Sequence, residues 1–232
     1  MLVIRTVPEL RAAILEQRRA GSSVGLVPTM GLIHAGQLSL VARAREENGC
    51  AVVSITADPS RGEHAIRDRR RPEEGRDLAL LEREGATIAF VPTHSSLFPP
   101  DDLTRVLVAR LTDRLEGASR PGYLDLVTTV IAKLLGLVGP ARLYLGQKDA
   151  QQIVVVRRMF RDLHVNTALL VCPTVRESDG LAVSSQNAAL SIEERHAATC
   201  LQQALLAAER AWAGGERSAE VLRARMGEVL VR

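Results

Sequence analysis

Aromatic side chains are scarce: Phe, Tyr and Trp make up 3% of the 232 residues. A core in this chain must therefore be built from Leu, Val, Ile and Ala. Cysteine is equally sparse, with Cys50, Cys172 and Cys200 odd in number and widely spaced. That excludes a disulfide framework and a thiolate metal pattern, and it predicts a reducing, cytoplasmic setting. No apolar run is long enough to span a bilayer, and no signal-peptide pattern opens the chain. Charge of one sign is also lacking. A formal net charge of +3 is too small to argue for nucleic acid. Neither nucleic acid nor a membrane is expected as a partner.

What is present is an alternation of apolar strands and helices, which argues for an α/β fold with a parallel sheet covered on both faces. Strands are expected at residues 3–6, 24–27, 51–56, 88–91, 143–145 and 168–171. Leu103–Leu111 is expected to be extended. Thr6-Val-Pro-Glu9 reads as a capping box that opens the first helix, with Pro8 in its first turn. Further helices are expected at about 35–47, 77–84, 124–137 and 149–162. Between the third strand and residue 77 lies a long polar segment that includes Asp58 and the Arg67–Arg71 run. The alternation ends after Pro173. Ser191-Ile-Glu-Glu194 is a second capping box, and one long helix is expected from it to about Ala213, with a final helix from about Ser218. The expected division is 1–174 and a small C-terminal domain, 175–232.

The strand at 24–27 runs into Pro28-Thr29-Met30-Gly31-Leu32-Ile33-His34-Ala35-Gly36-Gln37. In a Rossmann-like sheet this junction lies at the carboxyl end of a strand, where ligands bind, and N–H groups at a helix start favour phosphate. His34 can follow the phosphates there, and Gly36 lets the backbone approach. Taken alone, His34 is as well explained as a helix-capping or surface histidine. Lys148 and Asp149 are as well explained as a surface pair with Asp149 capping a helix. The Arg67–Arg71 run reads as a solvated loop.

Three further strings follow in order: Leu115-Glu-Gly-Ala-Ser-Arg-Pro-Gly122, Tyr144-Leu-Gly-Gln-Lys-Asp-Ala-Gln-Gln152, and Pro173-Thr-Val-Arg-Glu-x-Asp-Gly-Leu-Ala-x-Ser-Ser185-x-Asn187. Together the four closely resemble the pantothenate synthetase (pantoate–β-alanine ligase) family over nearly the whole chain. The resemblance implies a Rossmann-like, HIGH-type nucleotidyl-transferase domain with a small C-terminal domain, assembled as a homodimer. It implies ATP and Mg2+, a carboxylic acid converted to an acyl adenylate, and an amine that attacks it to form an amide. Carried onto this sequence, Pro28, Thr29, Met30, His34 and Gly36 border the nucleotide. Gly146, Lys148, Asp149 and Val175 hold it, with Lys148 neutralising phosphate. Ser184 and Ser185 close on the phosphates as a counterpart of the KMSKS loop. Gln152 hydrogen-bonds the acid, and Arg120 stands in the site wall.

Several positions depart from the family pattern. Gln37 stands where a second His is usual, and Gln cannot carry a proton's charge. Losing one charge-stabilising donor commonly costs on the order of 10²–10³ in rate. Arg61 stands where a pantoate-binding Gln is usual, Tyr123 replaces a His, and Gln186 replaces an Arg. The C-terminal domain is shorter than is usual in the family. These departures lead to the expectation of an altered acid or amine. The alternative is a catalytically degenerate homologue that binds nucleotide or a partner as a dimer.

Overall fold

The computed structural model describes residues 1–56 and 73–231. Arg61, Asp58 and the Arg67–Arg71 run lie outside the described residues. The chain divides into two compact units, Met1–Pro173 and Thr174–Arg232.

The first unit alternates strand and helix: β1 (Leu2–Ile4), α1 (Val7–Arg19), β2 (Val24–Thr29), α2 (Ala35–Glu47), β3 (Cys50–Ile55), α3 (Glu74–Glu84), β4 (Ile88–Phe90), the short α4 (His94–Leu97) and α5 (Glu116–Ser119), α6 (Tyr123–Val138), β5 (Arg142–Gly146), α7 (Ala150–Asp162) and β6 (Ala168–Cys172). The strands form one sheet in the order β1-β4-β3-β2-β5-β6, and every pairing is parallel.

Strand side chains alternate between two faces, and each face has its own core. Val24, Leu26, Val52, Ile88, Phe90, Leu143 and Leu145 pack with α1, α6 and α7 through Leu10, Ile131, Leu134, Val156 and Met159. Val27, Ala51, Val53, Ala89 and Tyr144 pack with α2 and α3 through Leu40, Val41 and Leu81. Both faces of the sheet are dry, so the strands read as continuous apolar runs. Tyr144 is fully buried, and its hydroxyl needs partners there. It donates to Glu47 Oε2 at 2.8 Å and accepts from Asn48 Nδ2 at 2.8 Å. Burial and the Glu47 carboxylate push this phenol up to about 12. A side chain at Gly25 would crowd this pair, because its Cβ would lie 2.6 Å from Asn48 Nδ2.

The first capping box is present: the Glu9 N–H donates to Thr6 Oγ1 at 3.4 Å, and the Thr6 N–H donates to Glu9 Oε2 at 3.2 Å. Thr6 is therefore a helix cap, and β1 stops at Ile4. Leu103–Leu111 forms no strand. Side chains of α6 take its backbone groups instead. The Val106 N–H donates to Thr129 Oγ1 at 3.0 Å, and Thr128 Oγ1 donates to the Val106 carbonyl.

In the second unit, the Ser191 capping box opens α8 (Ile192–Ala197). The single helix expected from here to Ala213 is two helices, because α9 begins afresh at Cys200 and runs to Ala213. Between them, Thr199 Oγ1 donates to the His196 carbonyl at 2.8 Å, a local bond that competes with the helical ladder. α10 (Ala219–Leu230) packs along α9. Arg195 pairs with Asp179 at 2.6 Å and ties α8 to the turn that the Arg176–Ala182 bridge closes. Among the described residues, no helix is long and apolar enough to cross a membrane. Cys50 is a buried core residue, and burial pushes its thiol up.

Candidate active site

From β2 the chain builds outward through β3 to β4 on one side and through β5 to β6 on the other. The crevice at such a reversal, outside the carboxyl ends of the strands, is where open α/β sheets bind ligands. Two of the four sequence strings end there, one after β2 and one after β5. Those strands pair only at Gly25–Arg142 and Leu26–Leu143. They part before Pro28, which has no N–H to give to a ladder.

The loop after β2 is tightly held. Thr29 Oγ1 donates to the Ser54 carbonyl at 2.8 Å and accepts from the Gly31 N–H at 3.4 Å. Gly31 and Leu32 both take left-handed backbone, with φ of 80° and 51°. For a leucine that conformation costs about 1–2 kcal/mol. Two successive N–H groups in such a turn form a nest for an anion, and a protein carboxylate fills this one. Asp77 of α3 accepts from the Leu32 N–H at 2.9 Å and from the Ile33 N–H at 2.8 Å. The His34 N–H donates to Gln37 Oε1 at 3.1 Å. Gln37 therefore turns its amide oxygen onto the first turn of its own helix. The N–H groups of residues 31–34 are thus engaged, so the supply of free donors expected at this helix start narrows to its first turn.

His34 itself faces a different situation. Its Nδ1 is buried and has no hydrogen-bond partner among the described residues. An orphaned buried polar atom of this kind calls for an explanation, and a bound ligand supplies one. Burial, then the Lys148 ammonium, push the imidazole below its ordinary value of 6.5, while Asp149 opposes them. The neutral form of His34 is thereby favoured, and the ring feels the two charged residues of the loop after β5.

That second loop is open. Gly146 ends β5, and a Cβ there would meet no atom within 4 Å. Gln147–Asp149 form a single 3-10 turn before α7. Lys148 and Asp149 pair with each other at 3.4 Å with side chains 37% and 51% exposed. Asp149 precedes α7, but its side chain does not cap the helix. Gln152 lies half-buried in the first turn of α7.

The Leu115–Gly122 string forms a wall beside this loop. Arg120 bonds Glu116 at 3.0 Å, and its guanidinium stacks 3.5 Å from the Tyr123 ring centroid. Burial pushes the Tyr123 hydroxyl up; Arg120 opposes this, while Glu116 and Asp149 reinforce it. Asp149 therefore acts electrostatically on both His34 and Tyr123, linking the wall to the loops. The wall is braced by Gln151, whose amide donates to the Leu111 and Arg114 carbonyls at 2.9 and 2.7 Å and accepts from the Glu116 N–H at 3.0 Å.

The structure brings Lys148 and Asp149 within electrostatic reach of His34, and Asp149 within reach of Tyr123. Pro28, Thr29 and Met30 lie at the end of β2, and Gly36 lies in the first turn of α2. Val175, Ser184 and Ser185 belong to the second unit. There the Val175 carbonyl accepts from the Val183 N–H at 3.0 Å, and Ser184 Oγ accepts from the Gln186 N–H at 3.2 Å. Ser185 is exposed. Asp77 and Gln151, which hold the 31–33 turn and brace the wall, have no role legible in the sequence, because their partners are distant in the chain. The capping by Gln37 did carry a signal: Gln three residues after a helix N-cap is the acceptor half of a capping box.

The family model described as pantoate-beta-alanine ligase matches residues 2–231. Pantothenate synthetase of Chloroflexus aggregans is 47% identical over 231 residues, which cover 99% of this chain and 82% of that protein. The pantothenate synthetase of Thermotoga petrophila is 45% identical over 233 residues, with 100% and 83% covered. Among solved structures, pantothenate synthetase from Thermus thermophilus superposes with a TM-score of 0.88 at 45% identity, over 100% of this chain and 82% of that one. Pantoate-beta-alanine ligase from Francisella tularensis, complexed with beta-gamma ATP and beta-alanine, gives 0.79 at 27% identity, over 99% and 86%. With a family model matched from residue 2 to 231 and 47% identity carried across 99% of its length, this chain belongs to the pantoate–β-alanine ligase family.

Proposed function

We propose that this protein joins pantoate to β-alanine in an ATP-dependent reaction that passes through an acyl adenylate. The carrying observation is the convergence, at the carboxyl ends of β2 and β5, of His34, its neutral form favoured and one ring nitrogen orphaned, and the Lys148–Asp149 pair. A carboxylate is a poor electrophile at neutral pH. Its oxygen attacks the α-phosphorus of ATP, pyrophosphate leaves, and the acyl group then carries AMP as a good leaving group. The amine of β-alanine adds to the acyl carbon, AMP departs, and the ammonium proton is lost to give the amide.

The protein's task is to supply positioned charge in a site that excludes water. His34, with a ring N–H to donate, contacts the phosphates, and Lys148 neutralises the pyrophosphate as it leaves. Gln152 hydrogen-bonds the acid, with Arg61, Arg120 and Tyr123 assigned to the same pocket. Ser184 and Ser185 are assigned to the phosphates from the family pattern. Mg2+ would arrive on the nucleotide, since it takes most of its ligands from phosphate and water with one or two carboxylates. Asp149 is a carboxylate beside His34 and Lys148. The functional assembly is assigned as a homodimer.

An altered acid or amine draws no support from the relatives. Those at 45–47% identity are named pantothenate synthetases, and a 27% identical relative is described with β-alanine bound. The capping role of Gln37 also weakens the case for a changed site, because this Gln serves its own helix.

The test is pyrophosphate release from MgATP with pantoate, followed by pantothenate formation on adding β-alanine. Turnover with both supports the assignment. Release with a different acid, but none with pantoate, would return the altered-substrate reading. ATP binding without release from any acid would establish a degenerate homologue.

A further inference from the structure

We propose that Asp77 is a positioning residue for the nucleotide end of the site, holding the left-handed turn at residues 31–33 that presents Met30 and His34. The inference rests on reading that site as an ATP-binding centre. Asp77 is 1% exposed. Its two carboxylate oxygens take the Leu32 and Ile33 N–H groups, at 2.9 and 2.8 Å. Among the described residues, no cation pairs with it.

Burying a carboxylate without a cation is unfavourable unless hydrogen bonds compensate. The bonds that compensate here all go to one turn. That turn needs them, because a leucine at φ 51° is held in a conformation its side chain disfavours. Helix α3 is anchored in its own right by Glu74, which is also buried and pairs with Arg5. The Asp77 carboxylate is therefore available to the turn. An asparagine could accept only one of the two N–H groups and would set its own NH2 against the other.

Asp77→Asn is the central variant, read by ATP–pyrophosphate exchange with pantoate. Misplacement of His34 by an ångström is expected to lower kcat/KM for ATP by on the order of 10²-fold. The KM for ATP should rise, while the KM for pantoate stays within about twofold of wild type. A protein that is merely less stable would lose active fraction, lowering kcat with both KM values unchanged. Leu32→Asn provides the second handle, because Asn tolerates left-handed backbone. Alone it should leave exchange near the wild-type rate, and in Asp77→Asn it should restore a large part of the loss. Amide hydrogen exchange at Leu32 and Ile33 reports the turn directly, and both should lose protection in Asp77→Asn.

Unchanged ATP parameters, a loss confined to kcat, or no rescue by Leu32→Asn would each overturn the proposal. If the wild-type protein neither bound ATP nor released pyrophosphate, the functional reading would fail and take this role with it. That failure is recognisable, because Leu32 and Ile33 would still show Asp77-dependent protection.

Discussion

The loops after β2 and β5 occupy equivalent places on adjacent parallel strands, yet they are built in opposite ways. The first is locked. Thr29, Asp77 and Gln37 engage its backbone, and His34 projects from it with a half-buried ring. The second is loose. Lys148 and Asp149 are largely exposed and bonded to each other. The first suits a group whose direction matters; the second suits charge that must reach a polyanion and follow it as it leaves. A compact ammonium on a flexible stem can do that with little loss of geometry. An imidazole donor must be aimed.

If that contrast is correct, the two loops should respond differently to conservative changes. His34→Asn should be almost as damaging as His34→Ala, with kcat/KM for ATP down on the order of 10²–10³. Lys148→Arg should keep most of the activity that Lys148→Ala loses. Equal tolerance at the two positions in a pyrophosphate-release assay would break the comparison.

The next effect is on protonation. Free His34 should titrate below 6.5, and a bound polyphosphate should raise its value by favouring the charged form. Imidazole shifts followed by NMR with and without ATP test this, and a value that ATP leaves unmoved would remove His34 from the phosphates. The sign also fixes a stability effect. A histidine whose value is lowered by folding withholds a proton that the unfolded chain accepts. Its contribution is intact above 6.5 and is lost as pH falls through the window just beneath.

Smaller effects lie outside the loops. Gln151→Ala strips three hydrogen bonds from the 111–116 segment and should cost about 1–2 kcal/mol of stability. It should also raise the KM for the acid, because the wall carries Arg120 and Tyr123. An unchanged KM would separate the wall from the substrate. Tyr144→Phe should cost about 1 kcal/mol in denaturant unfolding and leave catalysis alone, since its partners Glu47 and Asn48 lie at the end of α2. A catalytic defect there would mean that the α2 face of the sheet communicates with the site.

Much of the fold was legible from local pattern. Mostly apolar runs such as Ala51-Val-Val-Ser-Ile mark strands buried on both faces, and Thr6-x-x-Glu9 and Ser191-x-x-Glu194 mark helix starts, because each signal acts within one turn or one strand. The strings around His34 and Lys148 identified the family on the same local terms. Leu103–Leu111, expected to be extended, joins no sheet, because the side chains that take up its backbone at Val106, those of Thr128 and Thr129, come from a distant helix that no local pattern points to.

By itself the sequence determined an α/β chain, its capped helices and the family strings from which the site is proposed. Those depend on periodicity and on neighbours a few positions apart. Only the tertiary structure decided that β2 lies beside β5, so that His34 comes within electrostatic reach of Lys148 and Asp149. Only it decided that Asp77 reaches back to Leu32 and Ile33, and that Gln151 braces the wall. Strand order and such crossings are set by which buried surfaces and unpaired backbone groups find each other in the packed molecule, and no local pattern records that choice.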